Sequence, residues 1–368
     1  MKDHFPRRVI DDDKIDFEIF FRRVVVGIVM SWRAAVVNLV SSVRLVCCDS
    51  TRAGSATVQA NGHNEDRSHV LNRNGWMIAT VADGHGSHFV SQFVVDRLPE
   101  ELLRRLNSSR SKKASAASCI VSAFVHVDNL LRDMFVQDAA NSEWHAGSCA
   151  ITAVVDESSV TVANCGDSRA LLVDGSSYRW VSETHTADSE SEQVRLRSLH
   201  PDELDVVHCR QKIVELNPQG QIDSIRWAAC YVKSRLQPTR SFGDFYLKDA
   251  RATELCPDLV PNGPFTPPYI EAAPSINQFE RKSGTLLILG SDGLWDYVSP
   301  EDVLDVLRAN PCSQSSSEEI AQALADRALE IAAEATNGEL SLAELRAMPP
   351  GYDKRNIHDD ITAVVVAL

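Results

Sequence analysis

The sequence predicts an α+β fold in which stacked antiparallel β-sheets are covered by helices on their outer faces. Residues 149–175 hold three apolar runs joined by "DESS" and "GDS", connections too short for the crossover that parallel strands require. "TLLILG" at 285–290 is apolar on both faces, so it needs cover on both sides. Helical spacing of apolar residues, which supplies that cover, appears in 88–106, 116–138, 300–309 and 317–335.

The chain begins with a predicted extension over residues 1–48, before a single domain over 49–368. Its segment 17–40 is the most apolar part of the chain, but Arg22, Arg23 and Arg33 interrupt it. No uncharged run reaches the roughly 18–20 residues that a membrane-spanning helix needs. "DDDK" precedes it where a cleaved signal would carry a basic stretch. We expect a helix packed on the domain surface, with a targeting or membrane-associated segment as the alternative.

Further elements follow along the domain. Residues 76–82 and 361–367 are strand candidates. Pro300 suits the first turn of a helix that starts after Ser299. "PNGPFTPP" at 261–268 is predicted as a loop. We also expect a loop over 176–235 and an insert over 336–357, and these two segments are the candidates for selecting a substrate.

Composition limits the class of protein. The chain has 368 residues, 44% of them hydrophobic, which is typical of a soluble globular protein. Its net charge of −14 argues against nucleic acid as the main partner, because phosphate binding needs clustered Lys and Arg. The nine cysteines are odd in number and contain no C-x-x-C pair, so we expect reduced thiols. These features predict a cytoplasmic or nuclear monomer, although the N-terminal segment leaves targeting open.

Acidic residues recur where strands end. Asp83 follows "TVA", Asp167 follows "VANCG", Asp292 follows "LLILGS", and Asp359 with Asp360 precedes "ITAVVV". One aspartate at a strand end is usually a turn residue or a cap. Packed sheets, however, bring their strand ends to a common rim. The recurrence therefore predicts a cluster of carboxylates at one edge of the fold.

Such a cluster predicts a cation. "NGHNEDRS" at 61–68 adds Glu65 and Asp66, and crowded carboxylates raise one another's pKa unless a cation neutralises them. The candidate ligands are oxygens, and no His or Cys stands at zinc spacing, so Mg²⁺ or Mn²⁺ is favoured. Gly84 and Gly86 would let the backbone approach the ion, and the Gly84 carbonyl is itself a candidate ligand.

Seven motifs in order carry a resemblance to a known family. They are "NEDR" (64–67), "VADGHGS" (81–87), "GSCA" (147–150), "ANCGDSRALL" (163–172), "TRSFGD" (239–244), "LILGSDGLWD" (287–296) and "HDDIT" (358–362). Together they resemble the metal-dependent protein phosphatases, also called protein phosphatase 2C. Within that family, "VRLRSLHPDE" (194–203) is most similar to the plant and pyruvate-dehydrogenase-phosphatase-like branch.

The resemblance implies an αββα sandwich with the active site at one edge of the sheets. It also implies an enzyme that hydrolyses phosphoserine and phosphothreonine in proteins. It implies two Mg²⁺ or Mn²⁺ ions and a weaker third. The metal residues it implies are Asp83 as the bridge, the Gly84 carbonyl, Asp292 and Asp359 as further ligands, Asp66 and Glu65 on metal-bound waters, and Asp167 and Asp296 at the third ion. Asp360 stands where many relatives have Asn, and we choose Asp359 as the direct ligand.

The resemblance also implies a mechanism. Two ions would lower the pKa of a bridging water, so that hydroxide attacks phosphorus in line without a covalent intermediate. His85 would be the general acid that protonates the leaving alkoxide. Two positions depart from the family. Asn61 stands where many relatives carry an arginine that binds the substrate phosphate, and the resemblance implies the same contact for Asn61. Ser87 replaces the second glycine of "DGHGG".

Other classes fit the sequence less well. A cysteine-dependent phosphatase needs C-x5-R, and no cysteine here has an arginine six residues later. "GDSRA" at 166–170 resembles a serine-hydrolase elbow, but it ends in Ala and a strand follows it where a helix should. The alternative from a different class is a catalytically weak or dead member that binds phosphoproteins as a scaffold. Such a member usually lacks one of the metal-binding acids, and none of them is missing from this sequence. Mn²⁺-dependent release of phosphate from a phosphopeptide would discriminate the two.

Overall fold

The computed structural model describes residues 53–112, 115–138, 143–216 and 222–368. The predicted extension over 1–48 and its apolar helix lie outside these residues. Within them, no helix combines the length and apolar character needed to cross a membrane.

Thirteen strands and ten helices make up the described chain. The strands are β1 (Ala53–Val58), β2 (Arg67–Arg73), β3 (Trp76–His85), β4 (Gly147–Val155), β5 (Ser159–Cys165), β6 (Arg169–Asp174), β7 (Ser177–Trp180), β8 (Val207–Leu216), β9 (Ile222–Val232), β10 (Phe242–Gly243), β11 (Ser275–Glu280), β12 (Leu286–Gly290) and β13 (Ile361–Ala367). The helices are α1 (His88–Lys112), α2 (Ala116–Gln137), α3 (Glu190–Leu199), α4 (Phe245–Lys248), α5 (Ala252–Leu255), α6 (Asp292–Trp295), α7 (Pro300–Ala309), α8 (Ser317–Glu334), α9 (Leu342–Ala347) and α10 (Tyr352–Arg355).

Two antiparallel sheets lie at the centre of the structure. The first has the strand order β1-β13-β12-β6-β7, and the second has the order β11-β5-β4-β3-β2 with β10 paired to β4. All strand pairs in them are antiparallel. The predicted antiparallel arrangement of the runs within 149–175 is confirmed for β4 and β5. The third run, β6, does not pair with β5, because the chain crosses there to the other sheet, where β6 pairs with β12 and β7.

Three apolar layers hold the sheets and helices together. Val81 and Leu287 belong to the layer between the two sheets. Ile78 faces the other way, into the layer under α1 and α2. Ile288 likewise faces a third layer, under α8. Because successive strand residues point to opposite faces, a strand that is apolar at every position is buried on both sides. The predicted sandwich of two sheets flanked by helices is confirmed.

The predicted helices and strands agree closely with the observed ones. Helix α7 begins at Pro300, and Ser299 caps it by accepting a hydrogen bond from the Asp302 amide at 3.1 Å. The loop expected over 176–235 is wrong, because this segment contains β7, α3, β8 and β9. Strand β8 reads "VHCRQKIVEL", in which charged residues interrupt the apolar run, so its sequence lacks the pattern of a core strand. The insert over 336–357 likewise contains α9 and α10.

The expectation that all cysteines are reduced thiols is also wrong. Cys209 and Cys230 form a disulfide across the β8–β9 pair. The register sets these residues directly opposite each other, with Cα atoms 3.9 Å apart. They are separated by 21 positions in the chain, so sequence spacing does not reveal the pairing. Cys119, Cys149, Cys165 and Cys256 are free thiols.

A buried ion pair fixes the end of the β8–β9 hairpin to the body of the domain. The Lys233 side chain is 1% exposed, and its Nζ donates to Glu203 Oε2 at 2.9 Å. It also donates to Asp205 and to the Pro264 carbonyl, at 3.0 and 3.1 Å. The Glu203 side chain is equally buried, at 2% exposure, and accepts from Tyr269 Oη at 2.9 Å. Removing Lys233 would leave the Glu203 carboxylate buried without a counter-charge.

We therefore expect Lys233→Met to lower the free energy of unfolding by about 3–5 kcal/mol, the cost of an uncompensated buried charge. In the double variant Lys233→Met, Glu203→Gln, the loss should be smaller than the sum of the two single losses. Urea unfolding of the four proteins measures both quantities. Additive losses would contradict the coupling.

Candidate active site

The strand ends that carry acidic residues meet at one edge of the sandwich. Asp83 is near the end of β3, Asp292 follows β12 as the first residue of α6, and Asp359 precedes β13. The Asp292 backbone N–H points to Asp83 Oδ2 at 3.4 Å, so these two residues are adjacent. Asp167 lies in the turn between β5 and β6. The antiparallel order of the two sheets is what places these four ends side by side.

Burial and mutual repulsion dominate the electrostatics of this edge. Burial raises the pKa of Asp83 well above its ordinary value, and the charges of Asp292, Asp66 and Asp167 raise it further. Burial likewise raises the pKa of Asp292, with Asp167 and Asp359 adding to the effect. Because the carboxylates lie close together, each disfavours the ionised form of its neighbours.

Asp66 is the most enclosed of the predicted site residues. It is 3% exposed, and burial raises its pKa although hydrogen bonds to Ser291 and Thr362 act in the opposite direction. Its Oδ2 atom is buried without a hydrogen-bond partner. A buried carboxylate oxygen without a donor is costly, and a cation or an ordered water would satisfy it.

Glu65 and Asp359 form the outer part of the cluster. Burial raises the pKa of Glu65, and the charges of Asp360 and Asp359 add to this, whereas His85 and Arg355 lower it. The pKa of Asp359 is also raised by burial, against the effect of Arg355. Both acids are thus in electrostatic contact with basic side chains as well as with acidic ones.

Asp360 organises the neighbouring loop. Its Oδ1 accepts hydrogen bonds from the backbone N–H groups of Ala60 and Asn61, at 2.6 and 3.0 Å. Its Oδ2 accepts from the Glu65 N–H at 2.7 Å and from the Asn61 side-chain amide at 3.0 Å. Asp359 is engaged as well, because its Oδ1 accepts from the Asp360 N–H at 2.7 Å and its Oδ2 pairs with Arg355. The choice of Asp359 as the direct ligand therefore stays a prediction.

Two glycines allow segments of the site to approach closely. A Cβ atom at Gly84 would lie 2.4 Å from the Glu65 carbonyl oxygen, and one at Gly293 would lie 2.0 Å from the Asp360 carbonyl oxygen. Neither backbone oxygen can move away without displacing its carboxylate. The glycines that follow Asp83 and Asp292 are therefore required by packing.

His85 has a carboxylate partner that sequence reasoning missed. Its Nε2 lies 3.0 and 2.9 Å from the two carboxylate oxygens of Asp244. Asp244 is fully buried and also accepts from Ser241 Oγ at 2.6 Å. Burial lowers the pKa of His85, but the charge and hydrogen bond of Asp244 outweigh it and leave the pKa raised. The motif "TRSFGD" contains this aspartate, but 159 positions separate it from His85, and no local pattern connects them.

The other predicted residues lie around this centre. Asp296 is exposed at the end of α6, and its charge contributes to the raised pKa of Asp292. The Asn61 side-chain amide donates to Asp359 Oδ1 at 3.3 Å as well as to Asp360. The Ser87 Oγ accepts a hydrogen bond from the Phe89 N–H at the start of α1.

The donor chemistry of this edge suits a hard cation. Within the described residues, no three His, Cys, Asp or Glu side chains already form a metal-binding group. The available donors are nevertheless carboxylate oxygens, which Mg²⁺ and Mn²⁺ prefer. Two features fit a cation: the unpartnered Oδ2 of Asp66 and the repulsion between Asp83 and Asp292. Binding would require small side-chain movements that bring these oxygens together.

Sequence comparison places the chain among known phosphatases. A family model described as protein phosphatase 2C matches residues 44–336. "Probable protein phosphatase 2C 67" of Arabidopsis thaliana is 31% identical over 333 residues, covering 85% of this chain and 82% of that protein. "Probable protein phosphatase 2C 61" of Oryza sativa subsp. japonica is 30% identical, over 85% of this chain and 80% of that protein.

Solved structures show the same fold. Serine-threonine phosphatase 2C from Toxoplasma gondii aligns with a TM-score of 0.57 at 20% identity, covering 88% of this chain and 98% of that one. A Caenorhabditis elegans sex determining protein aligns with a TM-score of 0.60 at 17% identity, covering 87% of this chain and 65% of that one. At these identities the likeness concerns the fold alone.

The raised pKa values predict a stability change when one acid is removed. In the folded protein, Asp83 and Asp292 stay protonated at pH values above their ordinary pKa of 3.8. The metal-free fold therefore loses stability as the pH rises through the pKa values of the folded state. At pH 7.5 without divalent ions, Asp292→Asn should raise Tm by roughly 2 °C or more, the shift expected per kcal/mol in a large domain. The same variant should lose the rise in Tm that Mn²⁺ gives the wild type.

Differential scanning fluorimetry with and without Mn²⁺ measures both effects. Asp305→Asn is the matched control, since that carboxylate is 71% exposed on α7 and should change neither quantity. A fall in the metal-free Tm of Asp292→Asn would contradict the repulsion described above.

Proposed function

This chain belongs to the protein phosphatase 2C family of serine/threonine phosphatases, and we propose that it hydrolyses phosphoserine and phosphothreonine with Mg²⁺ or Mn²⁺ at the acidic edge of its sandwich. The observation that carries the proposal is the convergence of carboxylates from several strand ends, including the adjacent Asp83 and Asp292, beside a His–Asp pair. A protein of net charge −14 needs such a cation site to accept an anionic phosphopeptide.

The proposed metal residues are those that meet at the edge. Asp83, the Gly84 carbonyl, Asp292 and Asp359 would hold two ions, and Asp167 and Asp296 would join Asp292 at a weaker third. When bound, the ions supply Lewis acidity that lowers the pKa of water and offsets the charge of the phosphate. Glu65 and Asp66 would orient water by accepting its hydrogen bonds, a role that suits the unpartnered Oδ2 of Asp66.

His85 would supply the proton that the leaving group needs. An alkoxide leaving from serine or threonine is strongly basic, so protonation of its oxygen lowers the barrier. The Asp244 carboxylate, 2.9 Å from His85 Nε2, favours the protonated imidazole and holds its ring in place. His85 is therefore charged at neutral pH more often than an isolated histidine, as a general acid requires.

Phosphate release from a phosphothreonine peptide tests the proposed function. Activity should require Mg²⁺ or Mn²⁺ and should be abolished by EDTA, because the edge offers only hard oxygen donors for catalysis. Asp83→Asn should lower kcat by about 100-fold or more while circular dichroism stays unchanged. Undiminished turnover in EDTA would overturn the metal-dependent mechanism, and a complete lack of Mn²⁺-dependent turnover would overturn the proposed activity.

A comparison of leaving groups tests the role of His85. His85→Gln should slow hydrolysis of the phosphopeptide by about 100-fold, within the range for general acid catalysis. It should slow p-nitrophenyl phosphate far less, because nitrophenolate needs little protonation. His69→Gln, at an exposed position on β2, is the control and should affect neither substrate. Equal slowing of both substrates by His85→Gln would assign His85 a structural role instead.

A further inference from the structure

A cationic side chain would help the acidic edge to accept a substrate phosphate. A phosphoserine carries about −1.5 to −2 charges at pH 7, and it must approach an edge formed by acids. Arginine suits this contact because its planar guanidinium donates two parallel hydrogen bonds to phosphate oxygens. The inference below rests on the proposed function.

Asn61 is poorly suited to this role as it is placed. Its side-chain amide has two N–H donors, and these point to Asp359 Oδ1 at 3.3 Å and Asp360 Oδ2 at 3.0 Å. A contact with phosphate would have to break one of these hydrogen bonds. Asn61 also brings no charge, so it would offset none of the repulsion between phosphate and carboxylates.

Arg355 places a guanidinium at the same edge. It is the last residue of α10, and its side chain pairs with Asp359, four positions later. The short helix is fixed against the Asn61 segment, since the Gly351 N–H donates to the Ala60 carbonyl at 2.8 Å. The guanidinium therefore lies beside a proposed metal ligand and next to the segment that carries Asn61.

The guanidinium is available to a ligand. The Arg355 side chain is 47% exposed and that of Asp359 is 22% exposed, so solvent reaches the guanidinium and screens its pairing with the carboxylate. A cation bound to Asp359 would weaken the pair further, because it competes for the same carboxylate. The cost of turning Arg355 from Asp359 towards a phosphate is therefore small compared with a charge-assisted, bidentate contact.

We infer that Arg355 binds the phosphate of the phosphoserine or phosphothreonine substrate, and that it supplies from α10 the guanidinium that many relatives supply from the position of Asn61. The same contact would hold the orthophosphate product. Substrate recognition then depends on the segment 351–359, which carries both the arginine and a proposed metal ligand.

Inhibition by orthophosphate at saturating Mn²⁺ tests the inference. Arg355→Ala should raise both the KM for a phosphothreonine peptide and the inhibition constant of orthophosphate by about tenfold, the lower end for a hydrogen bond to a charged group. The value of kcat should change less, since the contact exists before and during the reaction. Arg355→Lys should recover part of the loss, because it keeps the charge but not the bidentate geometry.

Two further variants sharpen the test. Arg346→Ala is the matched control: its side chain is also 47% exposed and pairs with Asp326 at 2.7 Å, so its removal should change neither constant. Asn61→Arg in the Arg355→Ala background should lower KM and the orthophosphate constant again, because it returns a guanidinium to the position used by many relatives.

An unchanged orthophosphate constant in Arg355→Ala would overturn the inference. If only the affinity for Mn²⁺ changes in calorimetry, Arg355 is a positioning residue for Asp359, and the inference is equally wrong. An inactive wild type would overturn the proposed function without deciding this point. In that case, calorimetric binding of orthophosphate to the Mn²⁺-loaded wild type and to Arg355→Ala gives the answer.

Discussion

The repulsion between buried carboxylates at one edge of the sandwich is the constraint on which the rest of the site depends. Burial raises the pKa of both Asp83 and Asp292. The charge of Asp292 raises that of Asp83 further, and the charges of Asp167 and Asp359 raise that of Asp292 further. Such an arrangement persists only when the surrounding fold holds it in place. Two stacked sheets do this well, because the acids are attached to strand ends that cannot separate without breaking the core.

Several contacts around the acids keep them in position. Asp360 uses both carboxylate oxygens to fix the segment from Ala60 to Glu65, about 300 positions earlier in the chain. Gly293 permits the close approach of the Asp360 carbonyl to α6. The clustered carboxylates thus destabilise the metal-free fold, and a bound cation would offset their repulsion.

The edge also separates two kinds of basic group. His85 is held by the buried Asp244 on the β10–α4 segment, whereas Arg355 comes from a short surface helix and pairs with Asp359. A buried partner fixes the orientation and charge of a proton donor. A guanidinium that is itself 47% exposed can exchange one anion for another. The different supports match the different roles proposed for the two residues, proton transfer and phosphate binding.

The sequence by itself determined the sandwich, its principal strands and helices, and the acids at the strand ends, because apolar periodicity and turn chemistry are local properties of the chain. Only the tertiary structure decided which residues meet across long separations. It paired His85 with Asp244, assigned Asp360 to the loop at Asn61, joined Cys209 to Cys230, and brought Arg355 to the acidic edge. These contacts depend on strand register and on the packing of surface segments, and neither is encoded in the periodicity of a single stretch of sequence.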